Sequence, residues 1–186
     1  MDSRVYIIGR DEVPGRMRLA AGEKLRVTLV VPEGVSCSLA VEIDFDGPGA
    51  ELDLAGAYTC SGDQKVELDV NLHHDAGGCV SRQLFKGIVS GNARAAFHGL
   101  VYVAPDAQKT KALQENHSIL LSESARVESQ PQLEIYADDV ECSHGATVGS
   151  LDPEQQFYMR SRGIPEDEAR RLQTEAFLAP VLNRLP

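Results

Sequence analysis

The 186-residue chain suits one domain with a buried core, and 42% hydrophobic with 25% charged residues is ordinary for a soluble globular fold. A formal net charge of −10 argues against phosphate backbones as partners, and no basic amphipathic segment suits a membrane surface. No apolar run approaches the roughly 20 residues of a membrane helix. The VYII run near the N-terminus is cut off by Gly9 and Arg10, which leaves no signal-peptide core. The expected location is the cytoplasm. There, Cys37, Cys60, Cys79 and Cys142, with no CxxC pair among them, read as small hydrophobes rather than as a disulfide framework or a self-contained zinc site.

Residues 1–24 hold one short apolar run, Val5 to Ile8, then DEVPG from Asp11 and AAGEK from Ala20, which read as turns. From Leu25 a period of two takes over. Leu25, Val27, Leu29 and Val31 share a face, as do Leu39, Val41, Ile43 and Phe45, then Leu52 and Leu54, then Val66, Leu68, Val70 and Leu72. Glu42, Asp44, Glu51, Asp53, Glu67 and Asp69 fill the alternate positions, so much of the acidity is a solvated outer face. Further strands are expected at Gln83–Val89, Ala95–Val103, Ser118–Ser122 and Leu133–Ala137. Nothing before Asp152 reads as a long helix. Two all-β architectures remain, a two-sheet sandwich or a solenoid of stacked coils, and the absence of matching repeats speaks against a regular solenoid.

The tail changes period. Asp152 is an N-cap, Pro153 suits the first helical position, Gln155 completes a capping-box spacing, and Gly163 with Ile164 gives a helix stop. A second helix starts near Pro165 with Glu166, Asp167 and Glu168 in its first turn, and Ala169, Leu172 and Ala176 form its stripe. Pro180 is expected to end or kink it. Two such short helices are marginal alone and must pack on the β body or on a partner.

Cys142 and His144 are the first candidates for chemistry. On a strand they project from one face roughly 7 Å apart, too far for a thiolate–imidazole pair but suited to two ligands of one metal or cluster. His73, His74 and Asp75 sit at a strand end, where adjacent histidines point to opposite faces, so a metal-dependent enzyme built on them is a minor alternative. His98 and His117 are isolated, and Gly145–Gly149 lacks the lysine of a phosphate loop.

An ordered series of motifs adds to these patterns: SRQLFKG from Ser81, AQKT from Ala107 followed by LLS, PQLEIYADDV from Pro131, CSHGATVG from Cys142 and FYMRSRGI from Phe157. In this order they resemble the core of the SufB/SufD family, the scaffold of the SUF iron–sulfur cluster assembly system. The resemblance covers Ser81 to Leu172, and the CSHGAT spelling is closer to SufD. It implies a right-handed parallel β-helix over residues 1–150 with an α-helical segment over 151–186. It also implies a non-enzymatic scaffold whose last strands pair with a SufB-like subunit or an identical chain, and whose C-terminal helices receive a SufC-type ABC ATPase. Cys142 and His144 match family residues at the subunit interface, where a transient iron–sulfur cluster is expected. Phe157, Tyr158, Arg160, Arg162 and Gly163 match the ATPase-docking helix. The lead-in and tail are short for the family, which motivates a second reading as a homodimeric β-helix interaction protein without cluster or ATPase.

Overall fold

The computed structural model describes residues 1–186. Eleven strands precede two helices: β1 (Asp2–Ile7), β2 (Arg16–Leu19), β3 (Lys24–Val31), β4 (Cys37–Phe45), β5 (Glu51–Cys60), β6 (Lys65–His74), β7 (Val80–Val89), β8 (Arg94–Val103), β9 (Lys111–Leu120), β10 (Arg126–Ile135), β11 (Glu141–Gly149), α1 (Pro153–Ser161) and α2 (Glu166–Leu182). Successive strands go to opposite sheets. The odd strands form a six-stranded sheet in the order β1-β3-β5-β7-β9-β11, and the even strands a five-stranded sheet in the order β10-β8-β6-β4-β2. Every pairing is parallel. The architecture is a parallel β-solenoid, not a sandwich.

Coil steps are unequal, which explains why no repeat is visible. Lys24 lies beside Glu51, Glu51 beside Val80, Val80 beside Lys111 and Lys111 beside Glu141, so the offsets are 27, 29, 31 and 30 residues. What recurs is the inward face. Leu25, Leu52 and Ser81 share one level, as do Val27, Leu54 and Gln83, and the sheets bury these rows against Val41, Ile43, Phe45, Val66, Leu68 and Phe97. Burial of this apolar surface contributes about 25 cal/mol per Å².

Several expected boundaries move. Arg16–Leu19, between the two expected turns, is a strand without a sequence signal: Met17 and Leu19 are buried, while Arg16 and Arg18 hold the buried Asp44 carboxylate. The strand expected at Ser118–Ser122 runs over Lys111–Leu120, and the one expected at Leu133–Ala137 runs over Arg126–Ile135. The strand expected to carry Cys142 and His144 runs over Glu141–Gly149.

The helices mostly follow their sequence signals. The Asp152 carboxylate accepts from the Glu154 and Gln155 amides, but the Gln155 side chain pairs with Gln173 instead of closing a capping box. Gly163 has φ +88°, and the Gly163 and Ile164 amides donate to the Arg160 and Met159 carbonyls, a Schellman stop. Pro180 does not end α2, which continues to Leu182. The buried stripe is also rotated: Ala176 is exposed, whereas Leu178 and Val181 pack on Ala55, Ala57 and Ile88 of the outer face of β5 and β7. The Lys86 ammonium lies 4.2 Å from the Phe177 ring centroid, and Arg184 pairs with Asp53 at 2.8 Å. The tail therefore packs on the β body. Replacing Leu178 by Ala is expected to loosen α2 by about 2 kcal/mol. Amide hydrogen exchange should accelerate across α2 and stay unchanged in β4 and β6; equal acceleration everywhere would contradict this packing.

Candidate functional site

The solenoid is open at its C-terminal end. β11 has only β9 beside it, and β10 has only β8. On β11, Cys142 lies beside Ala112 and His144 beside Gln114. Because Ala112 and Gln114 belong to the buried inward row, Cys142 and His144 extend that row to a level with no coil above it. Cys142 is consequently half-buried and His144 exposed. Ser143, between them, takes the opposite face.

Cys142 lines a groove of about 370 Å³ together with Ser81, Arg82, Lys111 and Glu141. Burial pushes its thiol pKa up, offset in part by a backbone hydrogen bond at Ala112. The thiol is therefore protonated near neutral pH and becomes a thiolate ligand only when a metal competes with the proton. His144 and Cys142 supply one nitrogen and one sulfur donor from a rigid strand. Two donors fit half of a four-coordinate thiolate–imidazole site, so the remaining ligands would come from another surface.

The interior below the pair is polar, which sequence periodicity did not single out. Gln83, Gln114 and Asn116 are fully buried, and both amide atoms of each glutamine lack a partner in the chain. The Asn116 amide donates to Ser129 at 2.8 Å. The available signal was the run of polar residues at inward positions of β9.

The other candidates separate. His73 lies on the outer face, 5.9 Å from Tyr102, while His74 is buried, stacks on Phe45 at 3.9 Å and bonds Ser81 at 2.9 Å. Burial, with a contribution from His73, pushes the His74 pKa down to about 3. Asp75 is exposed, so these three residues do not converge. His117 bonds Thr147 of β11 at 2.8 Å, and His98 bonds Asp69 at 2.8 Å.

α1 has no buried residue. Phe157 is 75% exposed and Tyr158 59% exposed, with the Arg162 guanidinium 5.4 Å from the Tyr158 ring. Arg160 pairs with Glu166 at 3.5 Å, and Gly163 ends the helix. Ile135, Tyr136 and Val148 are also exposed at this end of the molecule. Apolar surface concentrated in this way is typical of contact regions.

The structure thus defines an open-ended parallel β-solenoid with a Cys-x-His pair on its terminal strand and two helices on one flank. The family described as SUF system FeS cluster assembly, SufBD core domain, matches residues 15–177, and the chain belongs to it. The iron–sulfur cluster assembly protein SufD of Escherichia coli (strain K12) is 52% identical over 114 residues, covering 61% of this chain and 27% of that protein. The protein of the same name from Bacillus subtilis (strain 168) is 37% identical over 140 residues, covering 75% of this chain and 32% of that protein. Protein ABCI7, chloroplastic, of Arabidopsis thaliana is 38% identical over 147 residues, covering 78% of this chain and 31% of that protein. The chain spans about a third of the length of these curated relatives.

Proposed function

We propose that the protein is a non-enzymatic scaffold subunit of SUF-type iron–sulfur cluster assembly. The observation supporting this most directly is the pairing of Cys142 and His144 on one face of a terminal strand with no coil above it. In this reading the open β10 and β11 edges pair with a SufB-like subunit or with an identical chain, and each partner contributes ligands to a transient cluster that is cargo. The exposed face of α1, with Phe157, Tyr158, Arg160 and Arg162 and terminated at Gly163, receives a SufC-type ABC ATPase. The cytoplasm is the expected compartment.

The test is anaerobic copurification from the native source, with a SufB-like subunit and a SufC-type ATPase as the expected companions. Replacing Cys142 and His144 together by Ala should remove most of the iron retained after anaerobic reconstitution while leaving the β-sheet circular dichroism unchanged. Undiminished iron in that variant would refute a ligand role for the pair. A second reading, a homodimeric β-helix interaction protein without cargo, is favoured by the half-burial that keeps the Cys142 thiol protonated. It predicts a dimer of identical chains that retains no iron before or after the substitution.

A further inference from the structure

A second group of ligating side chains lies on the opposite sheet, away from Cys142. On β6, Val66, Leu68 and Val70 face the core, so Glu67 and Asp69 project from the outer face; His98 occupies the position beside Asp69 on β8. The His98 Nδ1 and an Asp69 oxygen are 2.8 Å apart, and one donor atom from each of Glu67, Asp69 and His98 lies within 4.8 Å of the others. Two of the flanking positions are small, with Ala40 of β4 beside Asp69 and Ala96 of β8 beside Glu67, while Gln130 of β10 lies beside His98.

No Lys or Arg pairs with either carboxylate of this group. Several other outer-face carboxylates do meet a cation from the next coil: Lys24 with Glu51, Arg26 with Asp53, Arg16 with Asp44, Lys111 with Glu141. Glu67 makes no ion pair, and Asp69 pairs only with the His98 imidazole. Two carboxylates on one strand face repel unless a cation lies between them. Two adjacent strands in the middle of their sheet, β6 and β8, hold the group on rigid backbone, as a metal site requires.

We propose that Glu67, Asp69 and His98 form a binding site for a divalent first-row transition metal of the manganese, iron or zinc class. Two oxygens and one imidazole nitrogen are a borderline donor set that suits these ions better than calcium or magnesium, which prefer oxygen alone. Three protein ligands leave coordination positions open to water or to a second molecule.

The experiment uses the full chain carrying Cys142→Ala and His144→Ala, so its outcome is independent of the cluster site. Chelator-stripped protein is titrated with Zn²⁺ by calorimetry while the His98 imidazole signals are followed by nuclear magnetic resonance. One equivalent should bind, the His98 signals should shift, and excess Mg²⁺ should not displace the ion. Adding His98→Ala, or separately the isosteric Asp69→Asn, should eliminate that equivalent with the thermal midpoint unchanged. No binding in the starting protein, unshifted His98 signals, or binding that survives His98→Ala would each overturn the proposal.

Discussion

Lowering the pH from 7 to 4.5 is expected to remove about 3 kcal/mol of folding stability through His74 alone. Its imidazole is fully buried, stacked on Phe45 and bonded to Ser81, and burial pushes its pKa down to about 3. In the unfolded chain the ring takes up a proton below roughly pH 6.5, whereas in the folded chain it stays neutral until about pH 3. The unfolded state therefore binds more protons throughout this window. The contribution is complete above pH 6.5 and declines as the pH falls, approaching a total loss of roughly 5 kcal/mol near pH 3. Carboxylates with lowered pKa, such as Asp11 and Glu168, act in the same direction but only nearer their own ordinary range. From pH 6.5 to about 5.5 the histidine therefore acts nearly alone, and the carboxylates join it below that. His74→Phe keeps the ring stack and deletes the titration, but leaves the Ser81 hydroxyl without its partner at a cost of about 1–3 kcal/mol. Urea unfolding at half-unit steps should show the variant less stable at pH 7, nearly flat with pH down to about 5.5, and equal to or above the parent by pH 4.5. An unchanged pH slope in the variant would assign acid sensitivity to other groups.

The parts of the fold legible in the sequence are those whose inward face is apolar. β3, β4 and β6 alternate Leu, Val, Ile and Phe with charged residues, and their positions follow directly. β9, β10 and β11 do not, because their inward positions include Gln114, Asn116, Ser118, Ser129, Cys142 and His144. A hydrophobic period cannot be read from residues that are polar at the buried positions. Parallel pairing was equally hidden, since alternation reports which face is buried and carries no information on the neighbouring strand. The motif series in the second half supplied the solenoid that local periodicity left open.

The candidate sites divide along the same line. The Cys142–His144 spacing is local, so the shared face could be argued from strand geometry. Its place on a terminal strand could not, because that depends on where stacking stops. The last two strands, β10 and β11, lie in different sheets, so the open end presents two separate edges. Asp69 and His98 are 29 residues apart and meet only through the β6–β8 register. No pattern in the chain marks that meeting.

Gly87→Ala is expected to destabilise the protein by about 3 kcal/mol, an effect of one methyl group that Tyr58→Ala should abolish. Gly87 lies between Tyr58 and Ser118 in the inward register, and the Tyr58 ring crosses it to bond the Ser118 hydroxyl at 2.8 Å. A Cβ at Gly87 would sit 2.0 Å from the Tyr58 Cζ, well inside contact distance. The ring cannot retreat without leaving the Ser118 hydroxyl unbonded in a site where both residues are at most 2% exposed. Gly56 serves Phe85 in the same way one level along, so the strands alternate large against absent side chains. Tyr58→Ala alone should cost about 3–5 kcal/mol by opening a cavity. In that background the Gly87→Ala methyl enters vacant space and should be neutral or slightly stabilising. The double-mutant cycle in urea should therefore give a coupling of about 3 kcal/mol, with the pair more stable than the sum of the single changes. Additive costs would mean that the clash is relieved by backbone movement, and that the interior is not packed across coils through Tyr58.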